Sequence, residues 1–351
     1  MVQQEINMPF YSDLTELISD FSFDNLKSFC ENHYILLSGL LSTAVGLKLL
    51  RTYFVGGVFR SKARLDGKTV VITGGNTGIG FETALDLAKR GARVVLGCRD
   101  VTRGEEAAKK IRRASGNGNI IFRRLDLASL ESVRQFARET LAAEKDIHIL
   151  LNNAGIMMCP NWKSVEGYEM QFATNHLGHF LLTNLLLEKI KKSAPSRIIN
   201  VSSRAHIRGQ INFDDINFQK EYHPRLAYSQ SKLANVLFTR ELSRRLEGTG
   251  VTVNALHPGM VNTELARHMS EAGYHMWALY PLYPLLMLVS KTPEQGAQTS
   301  IYAAVSEEAG KVTGKYFSDC ALKDPVLPEN SEEVERRLWD LSEEMVGLKT
   351  H

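Results

Sequence analysis

A short β-branched run that turns directly into glycines most constrains the fold of this 351-residue chain. Residues 69–73 (TVVIT) predict a strand, and Gly74, Gly78 and Gly80 follow at once. FETALDLAKRGA then predicts a helix and RVVLGC a second strand, which completes a βαβ unit. Because glycine has no Cβ, a pyrophosphate can approach the helix N-terminus, where N–H groups and the helix dipole attract anions. The pattern predicts a dinucleotide-binding site.

The same alternation continues along the chain. Further strands are predicted in IIFRRLDL, which ends at Asp126, and in DIHILLNNAG, RIINVSS and VTVNALHPG, with helical segments between them. The predicted fold class is α/β, a single-domain Rossmann-type doubly wound parallel sheet with helices on both faces. Ligands bind beyond the carboxyl ends of such strands. We expect the site there, and Asp126 also fits as a cap for the following helix.

Composition excludes some classes of function. The chain is 44% hydrophobic and its net charge is +3, so charge gives no reason to expect a nucleic-acid partner. Its four cysteines are scattered without a CxxC pair. His176 and His179 are three positions apart, but no further histidine or cysteine nearby completes a metal set, and we predict no metal. A homo-oligomer stays open, without support from the sequence.

Residues 1–64 form an extension that differs from the catalytic domain predicted for 65–351. Residues 34–47 carry no charge, and the apolar character continues to Phe59 past Lys48 and Arg51. Fourteen residues are fewer than the ~20 that a spanning helix needs, although long basic side chains can snorkel. A membrane anchor over 34–59, an interfacial helix and a buried helix are the alternatives. We favour the anchor, because the apolar residues surround the helix.

The end of the second strand bears on the choice of cofactor. Enzymes for the non-phosphorylated nucleotide place an acid there to hold the ribose hydroxyls. Here Cys98 and Arg99 stand in that place, and Asp100 follows. A guanidinium at Arg99 suits a 2′-phosphate, which favours NADP(H), while NAD(H) stays an alternative with Asp100 as the ribose ligand. The non-functional alternative is that Arg99 is a solvated loop residue.

A tyrosine and a lysine lie one helical turn apart in YSQSK, residues 228–232. Positions i and i+4 share one face of a helix, so Tyr228 and Lys232 should lie together. A surface pair is the alternative. Two serines, Ser202 and Ser203, end the strand RIINVSS, and successive strand residues face opposite ways, so one of the two can face a site.

Taken together, TGGNTGIG, NNAG, NVSS, YSQSK and HPGMVNT resemble the short-chain dehydrogenase/reductase family, from about Leu65 to the C-terminus. CRDVTRGEEAAKKI and MQFATNHLGHFLLTNLLLEKI resemble its retinol dehydrogenase group. The resemblance implies an oxidoreductase that interconverts an alcohol and its carbonyl. It implies Tyr228 as the proton donor or acceptor and Ser203, rather than Ser202, as the residue that binds the substrate oxygen.

The resemblance also implies that Lys232 holds the nicotinamide ribose and, with the nicotinamide charge, lowers the pKa of Tyr228. Asn175 would position a water next to Lys232, with a capping or core-satisfied amide as its alternative. The residues expected to bind the cofactor form one larger set. They are Gly74, Asn76, Thr77, Gly78, Ile79, Gly80, Arg99, Asp126, Leu127, Asn153, Ala154, Gly155, Tyr228, Lys232, Pro258, Gly259, Val261 and Thr263.

Residues 274–290 are rich in Met, Leu, Tyr and Trp and are predicted to cover an apolar substrate, with core packing as the alternative. A retinol/retinal-type substrate is implied, and a steroid or lipid aldehyde is the alternative within the family. A membrane-tethered nucleotide-binding protein without turnover is the alternative from another class. The resemblance implies membrane association, at the mitochondrial inner membrane or the endoplasmic reticulum.

Overall fold

A mostly parallel sheet of eight strands is the centre of the computed structural model, which describes residues 31, 33–272 and 288–349. The strands are β1 (Thr69–Thr73), β2 (Arg93–Cys98), β3 (Ile120–Arg124), β4 (Ile149–Asn152), β5 (Ser196–Val201), β6 (Val251–His257), β7 (Tyr316–Ser318) and β8 (Ala321–Lys323). Their order in the sheet is 3-2-1-4-5-6-7-8, and β8 is the antiparallel edge strand. The predicted fold class is confirmed.

The described residues contain eight longer helices and five short helical turns. The helices are α1 (Tyr34–Val55), α2 (Gly78–Lys89), α3 (Val101–Ser115), α4 (Leu130–Ala143), α5 (Gly178–Lys192), α6 (Pro224–Arg245), α7 (Pro293–Val305) and α8 (Ser331–Met345). The shorter turns are Met170–Phe172, the π-helical turn Ala173–Leu177, the 3₁₀ turns Arg204–Arg208 and Glu264–Ala266, and Glu307–Gly310.

Burial on both faces explains why the strands are runs of β-branched residues rather than alternating ones. All five side chains of β1 are buried. Val70 and Ile72 belong to the hydrophobic cluster that includes α2, α3 and α7, whereas Val71 belongs to the cluster that includes α4, α5 and α6. A parallel strand covered on both faces needs apolar residues at successive positions.

β1 and β4 are neighbours at the point where the strand order changes direction. From β1 the chain adds β2 and β3 on one side of the sheet, and it then adds β4 to β8 on the other side. β1 pairs with β2 on one side and with β4 on the other, in parallel. The connections after the two strands therefore diverge and leave a crevice at the carboxyl ends, where ligands bind in such sheets. The glycine turn follows β1 and the Asn-Ala-Gly segment follows β4, so this topology brings them to one place.

The described residues divide into two compact units at Phe54/Val55. The first unit contains α1, whose apolar side chains are exposed at Ile35, Leu41 and Leu49 among others. In the described part of the chain, no helix combines the length and the apolarity that crossing a membrane requires.

The second unit begins ten residues before the predicted boundary at Leu65. The ring of Phe59 packs edge-on against Tyr302, with ring centroids 5.4 Å apart. The backbone N–H of Phe59 donates to Oε1 of Gln298. The guanidinium of Arg90 donates to the carbonyl oxygens of Ser61 and Ala63. Residues 55–64 thus belong with the catalytic unit.

Candidate active site

The glycine turn after β1 is fixed by close backbone contacts. Gly74 and Gly78 have positive φ angles of 68° and 58°, which non-glycine residues rarely adopt. A Cβ at Gly80 would lie 2.3 Å from the carbonyl oxygen of Gly74. Thr77, before α2, makes no side-chain capping hydrogen bond. The first N–H groups of α2 are therefore offered to an anion rather than to a capping side chain.

The hydroxyl of Thr73 joins the ends of β1 and β4. Its Oγ1 accepts the N–H groups of Asn153 and Ala154, both at 2.9 Å, and lies 2.8 Å from Nε2 of His179. Nδ1 of His179 lies 2.9 Å from the carbonyl oxygen of Asn175, so Nδ1 carries the hydrogen. Burial lowers the pKa of His179 to about 4, so the ring is neutral and Thr73 donates to Nε2. The Asn153 amide adds a bond to the carbonyl oxygen of Thr73.

Tyr228 and Lys232 share a buried face of α6, as their spacing predicted. Nζ of Lys232 lies 5.8 Å from the centroid of the Tyr228 ring and donates to the carbonyl oxygen of Val201 at 3.1 Å. The two side chains are 6% and 3% exposed, so the surface-pair alternative is wrong.

Burial dominates the protonation of both groups. It raises the pKa of Tyr228 to about 12, and a hydrogen bond with the Ser203 side chain opposes the rise. Burial lowers the pKa of Lys232 to about 8. The expected lowering of the tyrosine pKa includes the charge of a bound nicotinamide and stays a prediction, while burial within the protein acts in the opposite direction.

Ser203 and Ser202 point to different sides of the strand end. The Ser203 side chain lies close enough to Tyr228 to oppose the rise of its pKa, whereas Oγ of Ser202 donates to the carbonyl oxygen of Lys232 at 2.7 Å. This arrangement supports the prediction that Ser203, rather than Ser202, faces the site. Ser202 instead anchors the backbone of α6 to the end of β5.

Asn175 lies in the π-helical turn between Ala173 and Leu177. Its Oδ1 accepts the N–H of Ile156, and its Nδ2 donates to the carbonyl oxygen of Ile156 and to Oγ of Ser231, all at 2.9 Å. A Cβ at Gly155 would lie 3.3 Å from Oδ1 of Asn175 and 3.6 Å from Nζ of Lys232. The amide of Asn175 is thus satisfied by hydrogen bonds in the core, and Asn175 also lies on the same side of Gly155 as Lys232.

Comparison with known proteins establishes the family. Residues 68–273 match the model of the short chain dehydrogenase family. The chain is 53% identical over 320 residues to retinol dehydrogenase 13 of Homo sapiens, covering 91% of this chain and 96% of that protein. It is 54% identical to retinol dehydrogenase 14 of Homo sapiens, covering 81% and 88% respectively.

This chain belongs to the short-chain dehydrogenases. It is an oxidoreductase that acts on CH–OH groups, in agreement with the resemblance. A solved structure, the Pseudomonas aeruginosa RhlG/NADP active-site complex, is 28% identical with a TM-score of 0.57, covering 74% of this chain and 97% of that one. The family and this neighbour support a nicotinamide cofactor, and the uncapped helix and glycine turn fit one.

At the end of β2, the dehydrogenase has the buried Cys98 in the place where enzymes for the non-phosphorylated nucleotide have an acid. Backbone N–H groups of Gly75 and Asn76 donate to the sulfur of Cys98, and burial raises the pKa of this thiol to about 11. Arg99 is exposed. Oδ1 of Asp100 accepts the N–H of Arg103 as the cap of α3, so this carboxylate already has a structural role.

The expectation that Asp126 caps the next helix is wrong. β3 ends at Arg124, and the cap of α4 is Ser129, whose Oγ accepts the N–H of Ser132. Oδ1 of Asp126 accepts the N–H of Ala128, which forms the turn before the helix. An aspartate that bonds two residues ahead makes an Asx turn, and Ser129 is one helical turn closer to the N–H groups that need a cap.

The loop after β6 approaches the glycine turn. A Cβ at Gly78 would lie 3.1 Å from Cγ2 of Thr263, which places Thr263 over the N-terminus of α2. Gly259 has a φ angle of 96° and packs against the Lys291 side chain. Val261 forms a bridge with Lys291. These predicted cofactor residues therefore lie at the crevice, as do Asn153 and Ala154.

Part of the predicted substrate cover, residues 273–287 of the chain, lies outside the described residues. Among the described residues, no group of three or more His, Cys, Asp or Glu side chains is arranged to hold a metal ion. Thr73 and His179 are the site residues that sequence reasoning missed. The sequence offered a signal for each residue. Thr73 ends a strand of apolar residues and His179 lies in an apolar helix, and a buried polar side chain needs a hydrogen-bond partner.

Replacing Thr73 by valine should destabilise the dehydrogenase by about 2 kcal/mol or more, because two buried N–H groups lose their acceptor. We expect weaker nucleotide binding as well, since those groups belong to Asn153 and Ala154. Denaturant unfolding and a nucleotide titration measure the two effects.

Thr140→Val is the matched control. Thr140 is fully buried, and its hydroxyl has no hydrogen-bond partner in the described part of the chain. This change should leave the free energy of unfolding unchanged or raise it, because a buried hydroxyl without a partner is removed. Equal losses from the two variants would show that the Thr73 hydroxyl does not hold the strand ends together.

Proposed function

We propose that this dehydrogenase is NADP(H)-dependent and interconverts an apolar alcohol and its carbonyl, of the retinol/retinal type. The buried pair of Tyr228 and Lys232 on one face of α6, with Ser203 acting on the Tyr228 hydroxyl, is the observation that carries the proposal. The names of the relatives support the substrate class. The complete set, with Asn175, argues against a binding protein without turnover.

In reduction, Tyr228 gives its phenol hydrogen to the substrate oxygen. A phenol with a pKa of about 12 is fully protonated at neutral pH, which suits an acid. The Ser203 hydroxyl donates a hydrogen bond to the same oxygen, where negative charge develops. The nicotinamide, when bound, supplies or accepts the hydride at the carbon.

Lys232 and Asn175 restore the tyrosine after each turnover. The ammonium, with a pKa of about 8, favours the phenolate electrostatically and is close enough to neutral pH to pass a proton. Asn175, beside Lys232, would position the water that connects this lysine to solvent. In oxidation the same groups run in the opposite direction, and Tyr228 accepts the alcohol proton.

Tyr228→Phe should lower turnover by a factor of about 100 or more, because the acid is removed while the ring stays. Nucleotide affinity should be nearly unchanged. Reduction of retinal by NADPH, measured beside a steroid ketone and a medium-chain aldehyde, tests the chemistry and the substrate class together. Near-full turnover by Tyr228→Phe would refute the acid role, and a clear preference for another carbonyl would refute the retinal assignment.

The proposed preference for NADP(H) rests on Arg99 beside the uncharged Cys98. The positive charges of Arg99 and Arg103 add to burial in lowering the pKa of Arg267, so three guanidiniums approach one another near this end of the crevice. Glu264 pairs with Arg103 at 2.7 Å, and Asp100 and Glu106 also act on Arg103, so carboxylates offset the charge of Arg103 and leave those of Arg99 and Arg267. The surplus positive charge suits a 2′-phosphate.

Arg99→Ala should weaken NADPH binding by about 1.5–3 kcal/mol, the range for a hydrogen bond to a charged group. NADH binding should barely change, because its ribose carries no phosphate. Cys98→Asp should shift the preference toward NADH, since the N–H groups of Gly75 and Asn76 can receive a carboxylate that repels the phosphate. Titrations of both nucleotides measure this, and equal losses on Arg99→Ala would assign Arg99 to loop structure.

We further propose that α1 attaches the enzyme to a membrane, at the mitochondrial inner membrane or the endoplasmic reticulum. Exposed apolar side chains and the basic Lys48 and Arg51 support an interfacial attachment. Removal of residues 1–54 should move the chain to the soluble fraction with nucleotide binding intact, because both large hydrophobic clusters lie in the second unit.

Cell fractionation with a nucleotide titration of the soluble chain checks this. Lys48→Glu/Arg51→Glu in the full chain is the matched control for the charged part of the attachment. It should weaken binding to anionic vesicles while leaving turnover unchanged. A truncated chain that folds yet stays on membranes would contradict an attachment through α1.

A further inference from the structure

His206 bonds to the backbone of Ser203 from the 3₁₀ turn Arg204–Arg208. Its Nδ1 lies 2.6 Å from the carbonyl oxygen of Ser203, and its backbone N–H reaches the same oxygen at 3.0 Å. A carbonyl oxygen accepts and never donates, so Nδ1 carries the ring hydrogen. The contact fixes the tautomer of His206.

The surroundings keep His206 neutral and oriented. Its side chain is 3% exposed, and burial lowers the pKa of the ring. The hydroxyl oxygen of Tyr316 lies 3.4 Å from Nδ1, and the two ring centroids are 5.0 Å apart. Nε2 is buried and has no hydrogen-bond partner within the described residues. The one ring hydrogen is therefore used on Ser203.

The direction of the Ser203 hydroxyl depends on this turn. Ser203 lies two residues past the end of β5, and its Oγ accepts the N–H of Ala205 at 3.2 Å, which ties the side chain to the turn. At the other end of the turn, a Cβ at Gly209 would lie 2.5 Å from the carbonyl oxygen of Ser229 on α6. The turn is thus wedged against α6, with His206 closing it on the Ser203 side.

We propose that His206 is a positioning residue, whose Nδ1–H holds the Ser203 carbonyl so that the Ser203 hydroxyl stays on Tyr228 and the substrate oxygen. The inference rests on the proposed role of Ser203 in carbonyl reduction. His206 does not touch the reacting atoms itself.

Substitution of His206 by asparagine or by glutamine distinguishes the roles of its two ring nitrogens. Asparagine places an N–H close to the position of Nδ1, whereas glutamine places one close to Nε2. His206→Gln and His206→Phe should lower kcat by about 10- to 100-fold, the scale of a misplaced catalytic group, with KM and nucleotide affinity nearly unchanged. His206→Asn should retain most of kcat. Equal damage from the asparagine and glutamine variants, or full kcat in His206→Gln, would overturn the proposal.

A double-mutant comparison tests whether His206 acts through Ser203. In a Ser203→Ala background, His206→Gln should cause little additional loss of kcat, because its effect passes through the missing hydroxyl. Losses that multiply would overturn the proposal. If Ser203→Ala and Tyr228→Phe both keep turnover, the proposed function fails; if they lose it while His206→Gln keeps it, the positioning role alone fails.

A measurement without turnover keeps the proposal testable should the variants unfold. In ¹⁵N NMR of the wild-type dehydrogenase, His206 should show the neutral tautomer with hydrogen on Nδ1 between pH 6 and 8. Hydrogen on Nε2 would overturn the proposal.

Discussion

The rest of the site depends on the hydrogen bonds of the Thr73 hydroxyl. A continuous chain of hydrogen bonds begins there and ends on α6, the helix that carries Tyr228 and Lys232. Thr73 bonds to His179, and His179 to the carbonyl oxygen of Asn175. The Asn175 amide donates to Ser231, whose hydroxyl donates to the carbonyl oxygen of Tyr228. The glycine turn and Tyr228 are thus connected through one buried polar network, in which each member is held by the next.

Such a network is costly to bury and therefore specifies geometry. Lys232 is 3% exposed, and in the described part of the chain one acceptor, the carbonyl oxygen of Val201, lies within hydrogen-bond distance of its ammonium. An ammonium has three hydrogens, so two remain for ribose hydroxyls or water. The depressed pKa of Lys232 shows that burial is incompletely compensated by the protein. A group held at such cost fits a functional role better than a structural one.

Sequence reasoning was successful where local pattern decides the structure. The glycine turn and the parallel strands around it follow from periodicity, whereas the choice of Ser203 over Ser202 came from the resemblance to the family. It missed Thr73 and His179 because these residues are 106 positions apart and meet through the packing of α5 on the sheet. The wrong cap at Asp126 has a local cause, since Ser129 competes for the same helix end.

The direction of the Tyr228 pKa shift was beyond the sequence for a different reason. Spacing places Lys232 beside the tyrosine but does not state how deeply both are buried, and burial raises the pKa of Tyr228 to about 12. A protonated phenol is ready to give a proton to a carbonyl, whereas oxidation first needs a phenolate, which must draw its stability from Lys232, Ser203 and the charge of the oxidised nicotinamide.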